Sequence, residues 1–172
     1  MKLTSPYYVS PAIVTLEHAA ELAVSARRLG RWVVLTNGCF DILHRGHIEM
    51  LKEAKKLGDF LMVGVNCDES VRALKGPGRP CNSQDDRIAL LHALRFVDFV
   101  FPFRGPSFMG AISDIRPDIY VKGGDYVDEG ALDPDERSTL VHLGARIHIL
   151  PKQEGYSTTA TIGKIDDIKS TA

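Results

Sequence analysis

Cysteine is scarce in this chain. Cys39, Cys67 and Cys81 are the only three in 172 residues, an odd number, widely spaced and without a CxxC pair. That excludes a disulfide framework and a zinc site of ordinary spacing, and it reads as reduced thiols in a cytoplasmic protein. An excess of either charge is also missing, since 21 Lys and Arg face 22 Asp and Glu for a formal net charge of -1. No basic cluster interleaves with aromatics, so nucleic acid is not expected as the main partner; a phosphate backbone requires a cationic surface. A local basic pocket for a small phosphorylated ligand stays open. No window approaches the roughly 18 apolar residues of a membrane span, so no membrane association is expected. Met1 to Pro11 has no cationic start followed by an apolar core, and no secretory signal is read there.

What is present is an alternation of short apolar runs and amphipathic stretches, in a chain that is 44% hydrophobic and 25% charged. A length of 172 residues fits one α/β domain with a sizeable core. The division expected is an N-terminal extension over 1–14, one domain over 15–165 and a tail over 166–172. Thr15 is a plausible cap for a helix reaching Arg28, which Gly30 ends. Trp32 to Thr36 is a continuous β-rich run, expected where both faces of a strand are covered. The next helix carries Ile48, Leu51, Ala54 and Leu57 on one face, with Gly58 as its stop. Further strands are read at Phe60 to Val65, Phe99 to Phe101, Ile119 to Val121 and Ile147 to Leu150. Ser83 with Asp86 marks a capping box, and Asp133-Pro134 a helix start closed by Gly144. A last helix runs through Ile165. This order implies a doubly wound, Rossmann-like parallel sheet of five strands with helices on both faces. Its ligand site belongs beyond the C-terminal strand ends, at a topological switch point.

Every candidate site falls at such an end. His44-Arg45-Gly46-His47 opens the helix after the first strand, with both imidazoles on one helix face and Gly46 allowing close backbone approach. A helix N-terminus offers N–H groups and positive dipole to anionic oxygens, and two imidazole donors make that end a place for a polyphosphate. Two ordinary surface histidines remain the alternative. Gly155-Tyr156-Ser157-Thr158-Thr159 combines a tight turn with hydroxyls before a helix, either a phosphate grip or a simple cap. Lys75 and Arg79 flank a Gly/Pro loop that can swing over reacting phosphates, where cations suit developing charge. Arg87 either reaches the same phosphates or forms a structural ion pair. Lys122-Gly123-Gly124-Asp125 ends a buried strand near a base or ribose, or forms a plain turn.

The stretch from Val33 to His47, with Asn37-Gly38-Cys39-Phe40-Asp41 before His44-Arg45-Gly46-His47, resembles the signature of the HxGH nucleotidyltransferase superfamily, in its cytidylyltransferase-like branch. Leu74-Lys75-Gly76, Arg79-Pro80, Arg87, Val121 to Tyr126 and Glu154 to Thr159 match in order. The combination is most similar to the adenylyltransferase domain of ADP-heptose synthases, over about Thr15 to Ile165. The resemblance implies transfer of AMP from ATP to a sugar 1-phosphate, D-glycero-β-D-manno-heptose 1-phosphate, with Mg²⁺ entering on the nucleotide, and a homodimer. It implies His44, His47, Lys75 and Lys152 as catalytic groups, although relatives of the glycerol-phosphate cytidylyltransferase type carry arginine where Lys152 stands. It implies Gly38, Cys39, Phe40, Gly46, Lys122, Gly123, Gly124, Asp125, Ser157, Thr158 and Thr159 around the nucleotide. Asp41, Arg79 and Arg87 go to the acceptor, with no protein metal ligands. Asp41 can equally hold its own loop, and Cys39 reads as a packing residue with no activated thiolate. The apolar Phe96, Phe99, Phe101 and Phe103 suit either a dimer face or the core. The competing functions are a CTP-dependent cytidylyltransferase acting on glycerol 3-phosphate or a similar alcohol phosphate, and a non-catalytic nucleotide-binding module.

Overall fold

A computed structural model describes residues 12–123, 126, 128–151 and 153–170, the side chains of Asp166 and Ser170 excepted. Gly124, Asp125 and Lys152 therefore lie outside the described residues. The chain enters through a two-residue strand, β1 (Ala12–Ile13), and then α1 (Leu16–Arg28). The Thr15 side chain accepts from the His18 N–H at 3.2 Å, a cap that contributes about 1 kcal/mol to such a helix. Ala19, Ala23 and Ala26 recur at helical spacing and are all buried.

The elements then follow as β2 (Val33–Gly38), α2 (Arg45–Lys56), β3 (Phe60–Asn66), α3 (Asp68–Lys75), α4 (Gln84–His92), β4 (Phe99–Phe103), α5 (Met109–Ile115) and β5 (Ile119–Lys122). A short 3₁₀ turn at Glu129–Ala131 precedes α6 (Pro134–Leu143), β6 (Arg146–Ile149) and α7 (Thr158–Ser170). The expected caps form. Ser83 accepts from the Asp86 N–H at 3.2 Å, and Asp133 from the Asp135 and Glu136 N–H groups at 3.0 and 3.1 Å.

All strand pairs are parallel, in the order β1-β4-β3-β2-β5-β6. Period-two alternation divides the strands' side chains between two cores. Val33, Leu35, Phe99, Phe101 and Tyr120 pack with α1, α5 and α6, while Val34, Leu61, Val63, Val100 and Val121 pack with α2 and α4. From β2 the chain winds outward to β3 and β4, then returns to place β5 on the other flank of β2. The reversal leaves a crevice at the C-terminal ends of β2, β3 and β5, where a ligand site belongs.

The sheet has six strands among the described residues rather than the expected five. A two-residue β1 carries too little periodicity to be seen, and it draws Ala12 and Ile13 out of the expected N-terminal extension to pair with Phe99 and Val100. The last helix continues to Ser170, five residues past the expected end at Ile165. Phe99, Phe101 and Phe103 are buried in the core, Phe96 is half-buried against it, and none of these forms an exposed face. No helix among the described residues is long and apolar enough to cross a membrane.

Candidate active site

A cleft of about 480 Å³ opens at the reversal point, lined from both ends of the chain. Gly38, Cys39, Phe40, His44, Gly46 and His47 reach it from β2 and α2. Ser157, Thr158 and Thr159 reach it from the start of α7, Lys75 from the end of α3, and Lys122 and Gly123 from β5. Residues more than a hundred positions apart thus border one space, as a shared polyphosphate requires.

Gly46 explains how they come so close. A methyl group on it would stand 3.1 Å from the His44 ring and 3.2 Å from Tyr156 Cβ. The spacer between the histidines is therefore the point where the segment leading into α7 crosses the start of α2. Arg45, one residue before, lies over the Tyr156 ring at 5.8 Å.

The histidines have distinct tasks. His44 is the N-cap of α2, its Nδ1 accepting from the His47 N–H at 3.4 Å. That leaves the ring proton on Nε2. His47 stacks on His44 with centroids 3.7 Å apart and meets the Phe40 ring edge-on at 5.2 Å. Phe40 adopts φ +48 to put its ring there. Burial first, then the His44 and Lys75 charges, push the His47 pKa down to about 3. Burial and Lys75 lower His44 as well. Nδ1 of His47 is buried and has no hydrogen-bond partner among the described residues. At neutral pH the site presents two uncharged imidazoles.

Ser157 Oγ accepts from the Ala160 N–H at 3.0 Å, so this hydroxyl caps α7 while bordering the cleft. Thr158 is buried and Thr159 exposed. Lys122 is 8% exposed, with Nζ over the Tyr120 and Tyr126 rings at 5.6 and 5.2 Å. Burial lowers its pKa, and the Glu136 carboxylate partly restores it. Burial raises the Cys39 thiol, which is thus not activated as a nucleophile.

Three expected acceptor residues face elsewhere. Arg87 is fully buried and donates to the Asn82, Cys39 and Asn66 carbonyls at 3.1, 2.6 and 2.8 Å and to Asp68 Oδ1 at 2.7 Å. Its fully buried guanidinium is engaged in holding the Cys39 loop to α3 and α4, with four of its five N–H donors committed to these partners. Asp41, 1% exposed, accepts from the Cys81 and Asn82 N–H groups at 2.6 and 3.3 Å and ion-pairs with Arg79. Its carboxylate pins one loop to another, and Arg79 is turned toward it. None of the three lines the cleft.

Sequence reasoning overlooked Asn37, Asn66, Asp133 and Glu136, which do line it. Asn37 stands within the quoted motif beside Gly38 and was given no role there. Glu136 sits in the first turn of α6, where an acidic residue ordinarily answers the helix dipole and gives no other signal.

The profile of the cytidylyltransferase-like family matches residues 35–164, which takes in the histidine pair and the hydroxyl turn together. The chain belongs to the cytidylyltransferase-like family. Bifunctional protein HldE of Haemophilus ducreyi is 45% identical over 157 residues, covering 91% of this chain and 32% of that protein. The HldE of Trichlorobacter lovleyi is 41% identical over 166 residues, covering 90% and 33%. The chain thus spans about a third of the length of these curated relatives. Among solved structures, the lipopolysaccharide core biosynthesis protein of Thermoplasma volcanium superposes with a TM-score of 0.63 at 33% identity, over 73% of this chain and all of that one. Pantoate-beta-alanine ligase of Francisella tularensis, at 15% identity and a TM-score of 0.57, covers 84% of this chain and 68% of its own, and shares the fold.

Proposed function

We propose that this cytidylyltransferase-like domain transfers AMP from ATP to a sugar 1-phosphate, D-glycero-β-D-manno-heptose 1-phosphate, giving ADP-sugar and pyrophosphate. The observation that carries the reading is the meeting of the α2 histidines and the α7 hydroxyls on one cleft. Similarity to the HldE proteins, and to a lipopolysaccharide core biosynthesis protein, supports a sugar as the acceptor.

A phosphate oxygen of the acceptor attacks the α-phosphorus in line, the bond from that phosphorus to the bridging oxygen breaks, and pyrophosphate leaves with the electron pair. A phosphate monoester is already anionic at neutral pH, so neither a general base nor a covalent enzyme intermediate is needed. The work left to the protein is orientation and the stabilisation of charge as it moves. His44 and His47 donate to the triphosphate, and Ser157 to Thr159 with the α7 N–H groups hold its β and γ oxygens. Lys75, exposed at the end of α3, follows the developing charge. Lys152 is assigned the same task by resemblance alone, as are Gly124 and Asp125 in holding the nucleotide.

Magnesium belongs to this reading as a companion of ATP, neutralising charge between the phosphates. Among the described residues no group of three or more His, Cys, Asp or Glu side chains is placed to hold a metal. In this reading the ion would be carried on substrate oxygens and water. A homodimer in the cytoplasm is part of the same proposal and rests on the resemblance.

The test is a pyrophosphate-release screen of ATP and CTP against heptose 1-phosphate, other sugar 1-phosphates and glycerol 3-phosphate. Release is expected with ATP and a sugar 1-phosphate. Release with CTP and glycerol 3-phosphate alone would replace this reading with a cytidylyltransferase, and silence with every pair would leave a nucleotide-binding module.

A further inference from the structure

Three side chains without a part in that chemistry meet where the cleft borders α6. Tyr120 on β5 is fully buried, Glu136 on α6 is 7% exposed, and Asn37 at the end of β2 is partly buried. Asn37 and Glu136 both line the cleft. Tyr120 Oη stands 2.8 Å from Asn37 Oδ1 and 3.3 Å from Glu136 Oε2, while Glu136 Oε1 accepts from the Phe108 N–H at 2.8 Å.

One phenolic proton thus faces two acceptors. Burial first, then the Glu136 carboxylate, push the Tyr120 pKa well above its ordinary value, so the hydroxyl keeps its proton. A carboxylate is a stronger acceptor than a neutral amide oxygen, so the proton goes to Glu136. The Tyr120 oxygen can then only accept from Asn37, which demands the amide NH₂ on that side. The two ends of an asparagine amide have nearly the same size, and the hydrogen-bond network decides which end points where. Turned in this way, the amide sends a relay from Asn37 NH₂ to Tyr120 Oη and on to Glu136.

We propose that Glu136, acting through Tyr120, fixes the Asn37 amide with its carbonyl oxygen toward the cleft, so that this wall reads a hydrogen-bond donor on the bound nucleotide. The donor is a ribose hydroxyl or the exocyclic amino group of the base. The identity of the ligand rests on the nucleotidyl transfer proposed above; the orientation of the amide does not. Glu136 and Tyr120 are positioning residues, and Asn37 is the one that meets substrate.

Glu136→Gln turns the relay around. The Phe108 N–H holds the glutamine carbonyl, its NH₂ faces Tyr120, and the phenolic proton passes to the Asn37 oxygen, leaving the Asn37 NH₂ toward the cleft. Two measurements read this. In the ligand-free wild-type protein, the Asn37 side-chain NH₂ should show NMR cross-peaks to Tyr120 and slow exchange with water, and both should be lost in Glu136→Gln. An Asn37 NH₂ exposed to the cleft in the wild type overturns the proposal.

The second measurement compares ATP with 2′-deoxy-ATP, 3′-deoxy-ATP and purine riboside triphosphate, which lacks the amino group. One of the three should lose roughly five- to tenfold in kcat/KM with the wild type, identifying the donor that is read. In Glu136→Gln that difference should vanish or reverse, mainly through KM. A uniform loss across all four nucleotides would show only a structural role and overturn the proposal. Should Glu136→Gln fail to fold, Tyr120→Phe removes the relay and keeps the ring, and undiminished discrimination in that variant overturns it equally. If the wild type releases no pyrophosphate with any pair, the proposed reaction fails, and the NMR measurement still decides the amide.

Discussion

Two helix N-termini face the cleft, and they are built differently. The start of α2 is set in the core. Leu51 and Ala54 are fully buried, His44 caps it with an imidazole, and Phe40 and His44 enclose His47. The start of α7 touches the rest of the molecule mainly through its first turn: Thr158 is buried, but most positions beyond Ile162 are exposed. Its cap is one serine hydroxyl. The α2 end is thus held by the core on several sides, whereas beyond its first turn the α7 helix is mostly exposed. Preorganised donors act on the transition state, and a grip supported by the ligand acts on binding. Substitutions at the two ends should accordingly divide between kcat and KM.

The largest effect is expected from what holds the α2 end in place. Arg87→Ala strips three carbonyls and the Asp68 carboxylate of their partner and should cost about 3–5 kcal/mol in a denaturant melt, the scale of a broken buried ion pair. A variant with wild-type stability and a raised KM for the sugar phosphate would make Arg87 a substrate contact after all. Next, His47→Ala should lose two to three orders of magnitude in kcat, about 3–4 kcal/mol, with folding retained. A near-normal rate would take the imidazoles out of the mechanism. Smaller still, Ser157→Ala should raise KM for ATP up to about tenfold with kcat nearly unchanged, since a lost cap costs about 1 kcal/mol. A fall in kcat rather than a rise in KM would erase the contrast between the two helices.

The same contrast governs what could be read from the sequence. The α2 end was legible, because its helix carries strong apolar periodicity and the two histidines stand at fixed spacing around a glycine. The meeting with α7 was legible only through the order of motifs, since no local pattern brings Gly46 against Tyr156. β1 was invisible because two residues have no period. Arg87 and Asp41 were open because a charged residue in a motif has the same letter whether it faces a substrate or a carbonyl; only burial separates the two. Glu136 and Tyr120 were missed for a related reason. Each looks ordinary alone, one as an acidic residue in a first turn and the other as an aromatic in a strand, and their relay exists only once β5 and α6 pack together.

The finest difference between the two ends is their response to pH. No histidine, cysteine or acidic side chain belongs to the Ser157–Thr159 grip, so no side chain of that end changes charge between pH 5 and 8. At the α2 end the folded protein holds His47 at about 3, while an unfolded chain titrates near 6.5. Between those values the unfolded state binds a proton that the folded state refuses. The stability from a neutral, buried His47 is therefore fully present above about pH 6.5 and is lost progressively as pH falls toward 3. The His47 ring signals should stay flat from pH 8 to 5 in ligand-free protein, and His47→Asn should flatten part of the decline in melting temperature over that range. A His47 midpoint near 6.5 without ligand would mean that water reaches the ring. The α2 end would then be no more preorganised than the α7 end.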